Sequence, residues 1–172
     1  MADVESLLIE GFVERVRDLL ASRRADFAGL GELELRECGA HGAEAAMSRV
    51  AWANAVGDSW PTGVVTEFLD VTRQALHKRL RAGTVLGVPA RSVTWFPTWQ
   101  FDREQRSVRP VVAKLVAAFR EVVEPYDALV VASWATTVQA ELEMTPAEWL
   151  EVAKDDEMLV RIAKRSANEL AA

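Results

Sequence analysis

The chain has 172 residues, half of them apolar, a net charge of −6 and a pI near 5.1. That length supports one ordinary domain or two to three small modules. No apolar run approaches the ~18–20 residues needed to cross a bilayer, the acidic start MADVESLL lacks the positive region of a signal peptide, and Cys38 is alone, which excludes an intramolecular disulfide and a Cys-based metal site.

Leu7, Leu8, Phe12, Val16, Leu19 and Leu20 recur at spacings of three and four and predict an amphipathic helix over residues 4–24. Gly29, Gly31, Gly39 and Gly42 then bracket a stretch expected to be a loop with a brief extended piece, LELREC, in which Cys38 is expected to be semi-buried. From His41 to Val56 an Ala-rich run sets Ala46, Val50 and Ala53 on one face with Trp52 and Val56 beside it, which predicts a second helix. GDSWPT is expected to be the turn that ends it.

Residues 62–101 carry the most informative pattern. Thr62 is expected to cap a short helix with Val65, Phe68 and Leu69 inward, and Asp70 and Val71 make a turn. Thr72 caps a second helix, Arg73 to Ala82, with Ala75, Leu76 and Leu80 inward and Gly83 as its stop. Asp70 stands where glycine is common in such turns, but Asp tolerates the left-handed conformation better than most residues. TVLGVP and VTWFP, separated by ARS, predict a two-strand hairpin with Arg91 at its tip. Trp95, Phe96, Trp99 and Phe101 are expected to pack this hairpin onto the helices, since readers of double-stranded nucleic acid rarely need aromatic platforms.

Further on, residues 108–123 predict a helix with Val111, Leu115, Ala118, Phe119 and Val122 on one face and Pro110 in its first turn. Residues 128–137 predict a short helix apolar on most sides. Thr145, Pro146 and Glu148 form a capping-box helix start, and a last helix is expected from about Asp156, itself a candidate cap. The expected fold is mainly α: a helix-turn-helix with a β-hairpin wing (59–102), flanked by N-terminal (1–58) and C-terminal (103–172) helical segments.

Charge is segregated along this chain. From Thr72 to Arg120 there are ten Lys or Arg against Asp102 and Glu104, a local balance of +8 that leaves −14 on the remainder. Clustered cations, not the average charge, set affinity for phosphates; the competing reading is a solvated or internally paired charge run. The second helix points a row of donors outward. Arg73 can bind guanine bidentately, Gln74 can pair with adenine, and His77 can donate to an acceptor edge or a phosphate. Lys78, Arg79 and Arg81 suit phosphate positioning, with Thr72 at the helix start. Arg91 on the wing is expected to touch a phosphate or enter the minor groove, and Arg103, Arg106 or Arg109 to touch flanking phosphates.

VTRQALHKRLRAGTVLGVP with TWFPTWQFD, followed by ASWATTVQAELEMTPAEWLEVAKDDEMLVRIAKRSA, resembles actinobacterial DNA-binding antitoxins related to the Xre/MbcA/ParS family. Residues 62–172 carry the resemblance. It implies a repressor of its own operon that also occludes a toxin, often a RES-type enzyme that consumes NAD, through C-terminal residues such as Trp134, Thr145, Pro146 and Trp149. VQAELEM departs from that family's Asn/Gly loop, and residues 1–60 have no counterpart in it. The helix-turn-helix is also similar to winged MerR-like and excisionase-like domains, which keeps a stand-alone or phage-derived repressor open.

Three function classes follow. A cytoplasmic, nucleoid-associated regulator that binds double-stranded DNA is favoured, and a helical protein-interaction module is its alternative. An enzyme is disfavoured: two distant histidines, one cysteine, no Gly-rich phosphate loop and no clustered polar carboxylates offer neither catalytic groups nor a cofactor or metal site. A homodimer built on the N-terminal apolar stripe would match two-fold operators, unless the stripe packs on its own chain.

Overall fold

A computed structural model describes residues 3–22, 29–152 and 155–171. They fall into two units that divide between Ala46 and Met47, inside a helix, rather than at residue 58. Residues 59–102 and 103–172 belong to the same unit. The fold is mainly helical with a small antiparallel sheet.

The first unit holds α1, Val4–Ala21, and the start of α2, Glu32–Val56. Arg23 and Arg24, expected to end the first helix, lie outside the described residues. The α1 stripe is open to solvent: Leu8, Val16 and Leu19 are 39%, 38% and 41% exposed. Phe12 is half-buried, its ring 3.3 Å from where a Cβ on Gly42 would stand.

The loop and extended piece expected over LELREC are instead the first turns of α2. The Gly31 N–H donates to Glu34 Oε2 at 2.7 Å and the Glu32–Arg36 pair closes at 2.6 Å one turn apart. Good helix formers around Gly39 and Gly42 outweigh a cost of ~1 kcal/mol per glycine. Cys38, expected semi-buried, is exposed on this helix.

The second unit begins with the end of α2. Ser59–Pro61, expected to be a turn, forms β1 and pairs antiparallel with β3, Val93–Pro97, which also pairs with β2, Val88–Ala90. Sheet order is β1-β3-β2, so the two-strand wing gains a third strand. Trp60 lies opposite Phe96, and Pro61 sits in an edge strand, where a missing N–H is tolerated.

Helices α3, Thr62–Leu69, and α4, Arg73–Ala82, lie between β1 and β2. Thr62 does not cap α3; Pro61 occupies the cap position, and no side chain caps there. After β3 come a 3-10 turn, Thr98–Gln100, and a minimal hairpin of β4, Phe101–Asp102, and β5, Ser107–Val108. Val108 therefore belongs to a strand. Helix α5 runs Val111–Arg120, with Pro110 at its cap position and the Arg109 N–H held by Gln100 O at 2.8 Å.

The remaining helices are α6, Ala128–Thr136, α7, Pro146–Val152, and α8, Asp156–Ala171. Asp127 caps α6 through Leu129 N, and Asp155, not Asp156, caps α8 through Met158 N at 3.0 Å. Two apolar cores result. Val65, Leu76, Val85, Phe96 and Phe101 make one, under the motif, with Trp60, Phe68 and Leu80 packed on it. Leu115, Phe119, Trp134, Leu159 and Ile162 belong to the larger one, among α5–α8, which also takes in Trp99 and Val88 from the wing side.

Candidate nucleic-acid interface

Asp70 and Thr72 set the join between α3 and α4, and Gly83 sets the far end of α4. Asp70 adopts φ 52 and ψ 52, the left-handed conformation, and the Val71 N–H returns to Thr66 O at 3.0 Å. Thr72 Oγ1 accepts the Ala75 N–H at 3.1 Å and so caps α4, which leaves its O–H to donate elsewhere. Gly83 ends α4 with φ 71, and Thr84 folds back on Arg79 O. Val65 and Leu76, 0% and 2% exposed, fix the two helices over Phe96 and Phe101.

That packing decides which side of α4 is free. Arg73, Gln74, His77, Lys78 and Arg81 are all exposed and, at ~100° per residue, share one arc of the helix. Arg79 is exposed too, but it follows Leu76 by three positions and so lies towards the opposite flank. Helix α4 contains no acidic residue, and none of these cations enters an ion pair among the described residues. The N-terminal end of α4, where Arg73 and Gln74 sit, adds the helix dipole's positive end.

Arg91 lies at the β2–β3 turn, exposed with φ 54. Arg103 is exposed, its guanidinium carbon 6.0 Å from the Trp60 ring centroid. Arg106 and Arg109 are used otherwise than expected. Arg106 donates through Nε to Phe68 O and through Nη2 to Glu67 O, both at 3.1 Å, and lies over the Phe68 ring. Arg109, half-buried, donates through Nε to Trp99 O at 3.2 Å. These two hold backbone carbonyls, Arg106 while still exposed, whereas the side chains of Arg73, Lys78, Arg81 and Arg91 have no such bond among the described residues.

Two supporting residues have no signal in the sequence. Arg120, on α5, donates to Arg81 O at 3.2 Å and Leu80 O at 3.3 Å, two carbonyls in the last turn of α4, and stacks 4.9 Å from the Tyr126 ring centroid. Gln100 is fully buried. Its Oε1 accepts the Leu86 N–H, and its Nε2 donates to Leu86 O and Pro97 O, tying the segment after α4 to the wing's exit. A buried amide with its bonds satisfied specifies one arrangement of its neighbours.

The expected partner-binding residues are largely internal. Trp134 is 6% exposed and packs on Phe119 at 5.5 Å between ring centroids, and Pro146 is buried. Thr145 forms the capping box: its N–H and hydroxyl donate to Glu148 Oε2, and its Oγ1 accepts the Glu148 N–H at 3.1 Å. Those bonds hold the Glu148 carboxyl below its ordinary range. Trp149 is half-buried and donates to Asp155 O at 3.3 Å.

Among the described residues no group of three His, Cys, Asp or Glu could hold a metal ion, and no helix is long and apolar enough to cross a membrane. No family model matches the chain, and no curated protein or solved structure matches it either.

Proposed function

We propose that this protein is a sequence-specific regulator that binds double-stranded DNA, with α4 entering the major groove and the β2–β3 turn reaching a flanking phosphate or the minor groove. The observation that carries the proposal is the acid-free outward face of α4, with Arg73, Gln74, His77, Lys78 and Arg81 exposed and unpaired among the described residues, on a helix anchored at both ends. Arg73 and Gln74, at the start of α4, are the base readers; Lys78, Arg81, Arg91 and Arg103 are phosphate contacts. Arg106 and Arg109 leave the contact set proposed from sequence, because their side chains serve the fold.

Operators commonly pair half-sites with two-fold proteins. A homodimer through α1 fits that logic, since Leu7, Val16 and Leu19 of its apolar stripe stand exposed. An antitoxin role extends the same proposal. The order of a loop ending at Met144, the Thr145-Pro146 helix start and a terminal helix supports it, and a RES-type toxin is the partner it implies. With Trp134 and Pro146 in the core, such a partner would contact exposed residues of the loop and α8 instead.

Amide chemical-shift mapping with a duplex from the region upstream of the reading frame tests the DNA proposal. Perturbations centred on residues 72–82 and 91 are expected; a centre elsewhere on the chain would remove α4 as the reading helix.

A further inference from the structure

A groove of about 840 Å³ opens in the second unit between the last turns of α2, α6 and the end of α8. Trp52, Ala55, Leu129, Val130 and Leu170 supply apolar wall, and Thr136 ties α6 to α2 through Ala55 O at 3.0 Å. Two carboxylates, Asp127 and Glu169, stand among the lining residues, with no Lys, Arg or His. Arg165 pairs with Glu169 at 3.4 Å from outside the lining and also bonds Glu141. Glu141, Arg165 and Glu169 together keep one negative charge in excess, and Asp127 adds a second.

Size favours a small molecule. The volume lies within the ~300–1,000 Å³ of ligand pockets, while the fourteen lining residues fall short of the ~20–30 a side of a standard protein interface. An apolar wall with an indole and two carboxylates is complementary to an apolar body bearing positive charge.

We propose that this groove binds a lipophilic organic cation, its apolar body against Trp52, Leu129 and Leu170 and its positive centre towards Asp127 and Glu169. The site is independent of the DNA proposal, and each stands if the other fails.

The full chain is titrated with tetraphenylphosphonium and with tetraphenylborate, which share a shape and differ in sign, following tryptophan fluorescence and heat. Saturable binding of the cation is expected, with the anion about tenfold weaker, since attraction in one case becomes repulsion in the other. Asp127→Asn, which keeps a capping side chain, combined with Glu169→Gln should erase the preference. Ser48→Arg, at an exposed lining position, should reverse it, and Ala51→Trp, also exposed, should fill the groove and weaken both ions. Equal binding of the two ions, no saturable binding of the cation, or full affinity in Ala51→Trp would overturn the proposal.

Discussion

Arg106 and Arg120 make the same bond on consecutive helices: each guanidinium donates to two carbonyls in the last turn of a helix, Glu67 and Phe68 on α3, Leu80 and Arg81 on α4. Helix C-termini leave carbonyls without intrahelical partners, and they carry the negative end of the dipole. A forked cation satisfies both conditions at once. Two arginines of the basic island thus orient the helices of the motif, and the outward face of α4 is left to the others. Gly83 leaves room for the second clamp: a Cβ there would stand 2.7 Å from Arg120 Nη1.

Replacing Arg120 by Ala should lower stability by about 1–2 kcal/mol, from lost charge-assisted bonds that are partly solvent-exposed. Tyr126, the single tyrosine, reports the clamp directly. Burial raises its phenol above the ordinary 10.0, while the Arg120 charge and hydrogen bond pull it back. Removing Arg120 should push it higher still, read by phenolate absorbance in an alkaline titration. The folded phenol keeps its proton where the unfolded one has lost it. Tyr126 therefore contributes stability that is complete below the unfolded value and declines as pH rises above it. An unmoved phenol titration in Arg120→Ala would show that the two side chains do not interact.

Gln100→Leu should cost about 3 kcal/mol, because it strands the Leu86 N–H and O and the Pro97 O in the interior. Chemical denaturation measures it. A loss below about 0.5 kcal/mol would mean that the buried amide does not hold the wing, since such small values are typical of surface substitutions.

In DNA binding, Arg73→Ala should relax specificity at one base position by roughly 1–3 kcal/mol, whereas Arg81→Ala should weaken all sequences alike and reduce the salt slope by about 0.9. Arg106→Ala should leave the salt slope unaltered, despite removing the same charge, because its guanidinium is held on α3. Equal slopes for Arg81→Ala and Arg106→Ala, read from titrations at several salt concentrations, would contradict this division of roles.

Glu148 carries the pH dependence of the start of α7. Bonds from Thr145 depress its folded pKa, so its stabilising contribution is complete above the unfolded carboxylate value and is lost as pH falls through the lower, folded one. Glu148→Gln should flatten that acid limb of the stability profile, and Thr145→Ala, which removes the hydroxyl but keeps the backbone N–H donor at 145, should flatten it in part. A limb unchanged in both variants would place the titration elsewhere.

What was legible in the sequence was what neighbouring residues decide among themselves. Asp70, Thr72 and Gly83 each act within a few residues of their own position, as do Thr145, Pro146 and Glu148, and the structure has these six in the expected backbone roles. Exposure of the α4 row followed from the spacing of Ala75, Leu76 and Leu80. Pairing of Ser59–Pro61 with β3 was not legible, because SWPT carries turn residues and its partner lies over thirty residues away. The clamps join residues 38 to 40 positions apart, and no local pattern distinguishes Arg106 or Arg120 from a solvated arginine. In α2, Gly39 and Gly42 suggested a break that the surrounding helix formers override.

Whether α4 reads sequence is decided by a binding titration, at fixed salt, against the DNA upstream of its own reading frame and a scrambled duplex of equal length. A preference for the upstream duplex of about a hundredfold or more is predicted, within reach of the ~10³-fold or greater ratios of specific regulators. Equal, weak binding to both would contradict it and leave α4 as a basic face that reads no sequence.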